Sequence, residues 1–107
     1  MHAIFDHKIG PALKAIHADV AKVWTVETLA SEAGMSRSAF AARFKELLGQ
    51  PPLDYVADWR MQKAIHQLSA GKSISEAAKS VGYDSDAGFS KAFKRILGTS
   101  PRNYAGV

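Results

Sequence analysis

Residues 25–49 read TVETLASEAGMSRSAFAARFKELLG, and residues 73–98 read SISEAAKSVGYDSDAGFSKAFKRILG. With Thr25 set over Ser73 and one extra residue, Asp84, allowed in the second turn, the two stretches are one unit written twice. Ala30 falls on Ala78, Gly34 on Gly82 and Ser36 on Ser85. Phe40, Phe44, Lys45, Leu48 and Gly49 then fall on Phe89, Phe93, Lys94, Leu97 and Gly98. The match continues beyond the last glycine, where Pro52 and Tyr55 meet Pro101 and Tyr104.

Each unit predicts a helix, a tight turn and a second helix. Thr25 is an N-cap for a helix carrying Val26, Leu29, Ala30 and Ala33 on one face. Gly34 stops that helix, because glycine enters the left-handed region without steric cost. Ser36 caps the next helix, which is expected to bury Phe40, Phe44, Leu47 and Leu48 before Gly49 ends it. In the second copy Ser73 caps Ile74, Ala77, Ala78 and Val81, and Gly82 makes the turn. Ser85 then opens the last long helix, burying Phe89, Phe93, Ile96 and Leu97 up to Gly98. This outline is that of a helix-turn-helix.

Between the copies, Pro52 is a first-turn proline of a connecting helix over 52–70, with Ala57, Met61, Ala64, Ile65 and Leu68 as its apolar stripe. Such a rod of about 26 Å would suit two recognition helices spaced near one DNA turn, about 34 Å. A plain core helix would carry the same stripe. A further helix starts around Gly10 and Pro11, directing Ile9, Leu13, Ile16 and Val20 to the first unit, and Trp24 is a core residue. The expected organisation is a linker remnant at 1–8 and one domain over 9–107. That domain divides into subdomains at 9–50 and 73–107 on either side of the connecting helix. No β-pattern competes, so the fold class is all-α.

The 107 residues carry 14 Lys and Arg against 10 Asp and Glu, a net charge of +4. The excess lies mainly after residue 50, where eight basic residues face five acidic ones. A mildly basic domain is compatible with nucleic acid without requiring it. With no cysteine present, disulfides, thiolate metal sites and cysteine nucleophiles are excluded. His2, His7, His17 and His66 lack metal-ligand spacing, so no metal, cofactor or catalytic residue is expected. No apolar run approaches the roughly 20 residues that span a bilayer, and the N-terminus lacks a secretory pattern.

Three segments carry a resemblance: GYDSDAGFSKAFKRILGTSPRNY (82–104), GMSRSAFAARFKELL (34–48) and WRMQKA (59–64). The first has a Gly-aromatic turn, a Phe-x-x-x-Phe-Lys core and a Gly-x-Ser-Pro-x-x-Tyr end. Together they resemble the DNA-binding domain of AraC/XylS-type transcription regulators over nearly the whole chain from Ile9. The resemblance implies about seven helices in two helix-turn-helix subdomains, with recognition helices entering successive major grooves of double-stranded DNA. It also implies a bacterial, cytoplasmic transcription regulator, an activator that contacts RNA polymerase. Family members usually carry a ligand-sensing or dimerising module, so this chain is expected to be a fragment of a longer regulator.

With the apolar faces assigned to the core, the first recognition helix turns outward Arg37, Ser38, Ala41, Ala42 and Lys45. The second turns outward Asp86, Ala87, Ser90, Lys91 and Lys94. The family's base-reading positions, carried across, are Ser38, Ala41 and Ala42, then Asp86, Ala87, Ser90 and Lys91. The chain departs from the family where Arg or Gln often stands in place of Ala41 and Ala42. An alanine offers only a methyl group to thymine. The first unit is therefore expected to bind largely through Arg37, Arg43 and Lys45, although Arg37 also reads as a solvated charge. Lys91 suits guanine O6 and N7 or a phosphate. Asp86 suits cytosine N4, or simply complements the helix dipole. Ser36 and Ser85 serve as caps and as phosphate seats. Lys94, Arg60 and Arg102 are phosphate candidates, while Tyr55 and Tyr104 pack.

Two other function classes stand beside this one. A helical protein–protein adaptor without specific DNA binding fits the small residues Ser38, Ala41 and Ala42, against the basic residues of the second unit. An enzyme is disfavoured by the lack of cysteine, metal constellation or triad.

Overall fold

Four helix starts are fixed by side-chain oxygens that take up backbone N–H groups left open in a first turn. Thr25 Oγ1 accepts from Thr28 N at 3.0 Å while Thr28 Oγ1 accepts from Thr25 N at 2.9 Å, a reciprocal box. Ser73 and Glu76 repeat the box, at 3.1 and 3.2 Å. Ser36 Oγ accepts from Ala39 N at 3.3 Å, and Ser85 Oγ from Gly88 N at 3.0 Å. All four caps stand where the repeat puts them.

The structure, a computed structural model, describes residues 6–104. Among these are α1 (Ile9–Ala18), α2 (Val26–Ala33), α3 (Arg37–Leu48), α4 (Pro52–Ser69), α5 (Ile74–Ser80) and α6 (Asp86–Leu97). A 3-10 turn, Pro101–Asn103, follows. With that turn the count reaches the seven expected, and the described residues contain no strand. Residues 1–5 of the expected linker remnant and 105–107 of the expected domain lie outside the described residues.

The chain divides into two units between Ala57 and Asp58. In the first, Ile9, Leu13, Ile16, Val20, Trp24, Leu29, Phe40, Phe44 and Val56 are buried in one core. The Trp24 indole N–H donates to Asp19 O at 2.9 Å, so the ring is buried with its polar edge satisfied. In the second unit, Met61, Ala64, Leu68, Ala77, Ala78, Val81, Phe89, Ala92 and Phe93 form a separate core. α4 thus serves two cores: Val56 belongs to the first, and Met61, Ala64 and Leu68 to the second.

The repeat extends to the hydrogen bonds of the turns. Gly34 N donates to Ser31 O and Met35 N to Ala30 O, at 3.1 and 3.0 Å; Gly82 N and Tyr83 N donate to Lys79 O and Ala78 O at the same distances. Both glycines hold positive φ, 65° and 94°, which a Cβ would oppose. The aromatic packing repeats as well. Phe40 and Phe44 lie 5.6 Å apart, as do Phe89 and Phe93. Tyr55 then meets Phe44 edge-on, and Tyr104 meets Phe93 edge-on, each at 5.4 Å. Both tyrosines pack, as expected.

Several expectations are corrected. Leu47 is 36% exposed. The inward row of α3 runs Phe40, Phe44 and the half-buried Leu48, a single i, i+4, i+8 ridge, and Leu47 lies off it in the last turn. On α4, Val56 is buried and Ala57 only half-buried, because the helix faces two cores and not one continuous stripe. α1 begins at Ile9, one residue ahead of Gly10, because Asp6 Oδ1 accepts from Ile9 N and Lys8 N at 2.9 and 3.0 Å. Asp6 is 6% exposed and packs within the first unit.

Candidate nucleic-acid interface

In the first unit, α2, the Gly34 turn and α3 present α3 with its N-terminus capped and its Phe40–Phe44 face buried. That burial fixes which residues point outward. Arg37, Ser38, Ala42 and Lys45 are exposed along α3, with Ser36 exposed at its cap and Ala41 half-buried. The methyl groups of Ala41 and Ala42 leave the middle of this face smooth. Charge lies at its ends.

Two cations of this helix are held by carboxylates. Arg43 Nη2 reaches Asp6 Oδ2 at 2.5 Å and its Nε reaches Oδ1 at 3.2 Å, a bidentate pair. The guanidinium holds the Asp6 carboxyl well below the usual carboxylate range, and Asp6 in turn raises Arg43. Arg43, expected to help hold DNA, spends its Nε and Nη2 on Asp6. Arg37 Nε lies 3.3 Å from Glu27 Oε1 on α2. Glu27 is pushed down from its ordinary value by its own backbone N–H and then by the Arg37 charge. The pair is well exposed, so it contributes little stability but gives Arg37 a direction.

In the second unit, α6 exposes Asp86, Ala87, Lys91 and Lys94, with Ser85 exposed at the cap and Ser90 half-buried. Ser90 therefore sits at the margin of the expected face. Asp86 Oδ2 accepts from Ser75 Oγ of α5 at 2.5 Å. Lys91 and Lys94 form no ion pair among the described residues. Arg60, half-buried on α4, lies with its guanidinium carbon 5.7 Å from the centre of the Tyr83 ring, stacked against the second turn. Arg102 lines a shallow open groove with Ile74, Ser90, Ser100 and Pro101.

Sequence reasoning missed Asp6, Glu27 and Ser75. In the repeat Glu27 falls on Ser75 and Arg37 on Asp86, but the residue types differ, so the alignment alone does not mark either pair. Asp6, three residues ahead of Ile9, had the chemistry of a cap. Among the described residues, no group of three His, Cys, Asp or Glu is placed to hold a metal ion, and no helix is long and apolar enough to cross a membrane.

A helix-turn-helix domain family model matches residues 29–106. A Streptomyces lividans protein named as an AraC-like transcription regulator is 46% identical over 100 residues, covering 92% of this chain and 33% of its own length. The chain belongs to the AraC-type helix-turn-helix family. This AraC-type chain is also similar to the transcriptional regulator AlkR of Acinetobacter baylyi, 41% identical over 103 residues, or 95% of this chain and 34% of AlkR. It spans about a third of the length of the curated relatives it matches. Those relatives are named as transcription regulators.

Among solved structures, the AraC-type fold is shared with the DNA-binding domain of AdpA, a global transcriptional factor captured with a target DNA. The TM-score is 0.84 at 32% identity, covering 91% of this chain and 88% of that one. An AraC-type regulator from Chromobacterium violaceum gives a TM-score of 0.82 at 26% identity, covering 91% and 88%.

Proposed function

We propose that this chain binds duplex DNA sequence-specifically, with α3 and α6 each entering a major groove, and thereby regulates transcription. The observation that carries this is the doubled unit: two capped helices, each held by a Gly turn and presenting a polar outer face. The likeness to a domain solved on its target DNA supports the same function. Two units in one chain supply what other proteins gain by dimerising, so a single chain suffices for a bipartite site.

In this function Lys91 donates to guanine O6 and N7, and Lys45, Lys94 and Arg60 serve phosphates. Ser36 and Ser85, besides capping, offer helix N-termini to the backbone. Ser38, Ala41, Ala42, Ala87 and Ser90 supply the close-fitting surface between those contacts. Arg37 and Asp86 read bases at the leading end of each helix.

The chain acts as the DNA-reading module of a longer bacterial, cytoplasmic regulator whose remaining part senses a ligand or dimerises. Its share of the relatives' length supports that reading. RNA polymerase is the partner through which it activates.

Selection from a random duplex library tests the binding function. An enriched site with two preferred blocks about one helical turn apart is expected. Salt-sensitive binding without enrichment would reduce the units to phosphate clamps, and no duplex binding at low salt would favour the adaptor.

A further inference from the structure

The two contacts that tie the first helix of each unit to the second occupy the same two positions of the repeat. Glu27 on α2 meets Arg37 at the first position of α3. Ser75 on α5 meets Asp86 at the first position of α6. The unit has kept the contact and inverted its chemistry. In the first copy the recognition-helix residue is a donor held by an acceptor; in the second it is an acceptor held by a donor.

We propose that Glu27 and Ser75 are positioning residues that aim Arg37 and Asp86 at bases of opposite hydrogen-bonding character. The proposal rests on the DNA-binding function above and adds the base class at one position of each block.

The geometry supplies the aim. Glu27 faces the Nε edge of Arg37, which leaves the terminal Nη1 and Nη2 edge for a ligand. That edge matches the paired acceptors O6 and N7 of guanine. Ser75 occupies Oδ2 of Asp86, leaving Oδ1 as an acceptor. An ionised carboxylate has no donor to offer, so its partner must be an exocyclic amino group, that of cytosine or adenine. Without these contacts both side chains would explore several rotamers, and binding would have to order them; held in place, they meet the groove already oriented. The Ser75 hydroxyl also holds Asp86 toward α5.

The leading position of one block therefore favours guanine, and that of the other favours a base with an amino group.

The test compares base preferences of the unaltered chain with Glu27→Ala, Glu27→Gln, Ser75→Ala and Ser75→Thr, using the same random duplex library, with thermal melting as a control for folding. Glu27→Ala is expected to lose roughly tenfold of the guanine preference at one position and to leave the other block intact. Glu27→Gln, which keeps an acceptor, retains most of it. Ser75→Ala relaxes the amino-base preference in the other block by a similar factor, and Ser75→Thr, which keeps the hydroxyl, restores it. Unchanged preferences in folded Ala variants would overturn the proposal, as would a uniform loss of affinity across all sequences. Absence of enrichment by the unaltered chain would overturn the DNA-binding function and the proposal with it.

Discussion

Arg43 clasps Asp6 with two nitrogens, at 2.5 and 3.2 Å, across 37 residues of sequence. The same carboxylate caps α1 through Ile9 N. One residue ahead of the first helix thereby ties that helix to α3. Because the Asp6 carboxyl is held well below the usual range, chiefly by Arg43, it stabilises the fold fully above its unfolded value of about 3.9. That stability is lost progressively as pH falls from there toward the folded value. Asp6→Asn should lower the urea midpoint at pH 7 and narrow its difference from the unaltered chain by pH 3. Equal midpoints at pH 7 would show that the clasp contributes nothing.

His17 adds a second pH dependence in the same direction. Its Nε2 lies 2.7 Å from the Tyr55 hydroxyl, and burial pushes its pKa below the ordinary 6.5. The unfolded chain therefore binds a proton there before the folded chain does. Stability should decline as pH falls through 6.5 toward the folded value, and an NMR titration should place His17 below 6.5. Replacing His17 with Gln should flatten that part of the stability profile.

The two cores should respond alike to the same injury. Phe44 and Phe93 are fully buried and each meets its tyrosine edge-on at 5.4 Å. Phe44→Ala and Phe93→Ala should each cost about 3–5 kcal/mol by chemical denaturation. Ser36→Ala and Ser85→Ala, which remove only a cap, should each cost about 1 kcal/mol.

Leu47 and Leu48 are neighbours with different fates. Leu48 packs against the first core and Leu47 is 36% exposed. Leu47→Gln should change stability by no more than about 0.5 kcal/mol, whereas Leu48→Gln should destabilise clearly. Equal losses would return Leu47 to the core.

On DNA, Lys91 and Lys94 should separate into two kinds of contact. Lys91→Ala is expected to cost about 1–3 kcal/mol and relax preference at one base position. Lys94→Ala should weaken all sequences alike and reduce the salt slope by about 1. Binding isotherms at several salt concentrations distinguish them.

What the sequence announced were local, repeated features. Thr25, Ser36, Ser73 and Ser85 cap as read, and the Gly34 and Gly82 turns match bond for bond. Such features depend on residues three or four apart, and two copies made them mutually checkable. Periodicity was less informative where a helix faces two cores, as at Val56 and Ala57, or reaches the end of its buried ridge, as at Leu47. The polar contacts were hidden for another reason. Asp6 and Arg43 are 37 residues apart, and no spacing rule marks a part-buried pair closed by the fold. Glu27–Arg37 and Ser75–Asp86 share repeat positions but not residue types, so neither copy revealed the other. The outward faces of α3 and α6 followed from burial alone, except that Ala41 and Ser90 sit half-buried at their edges.

The most direct measurement is a competition between the library-selected duplex and a scrambled duplex of equal length, at physiological and rising salt. Sequence-specific binding predicts at least about a thousandfold preference for the selected site, with the logarithm of affinity falling linearly against the logarithm of salt concentration. Equal affinity for both duplexes, or no binding to either at low salt, would contradict it.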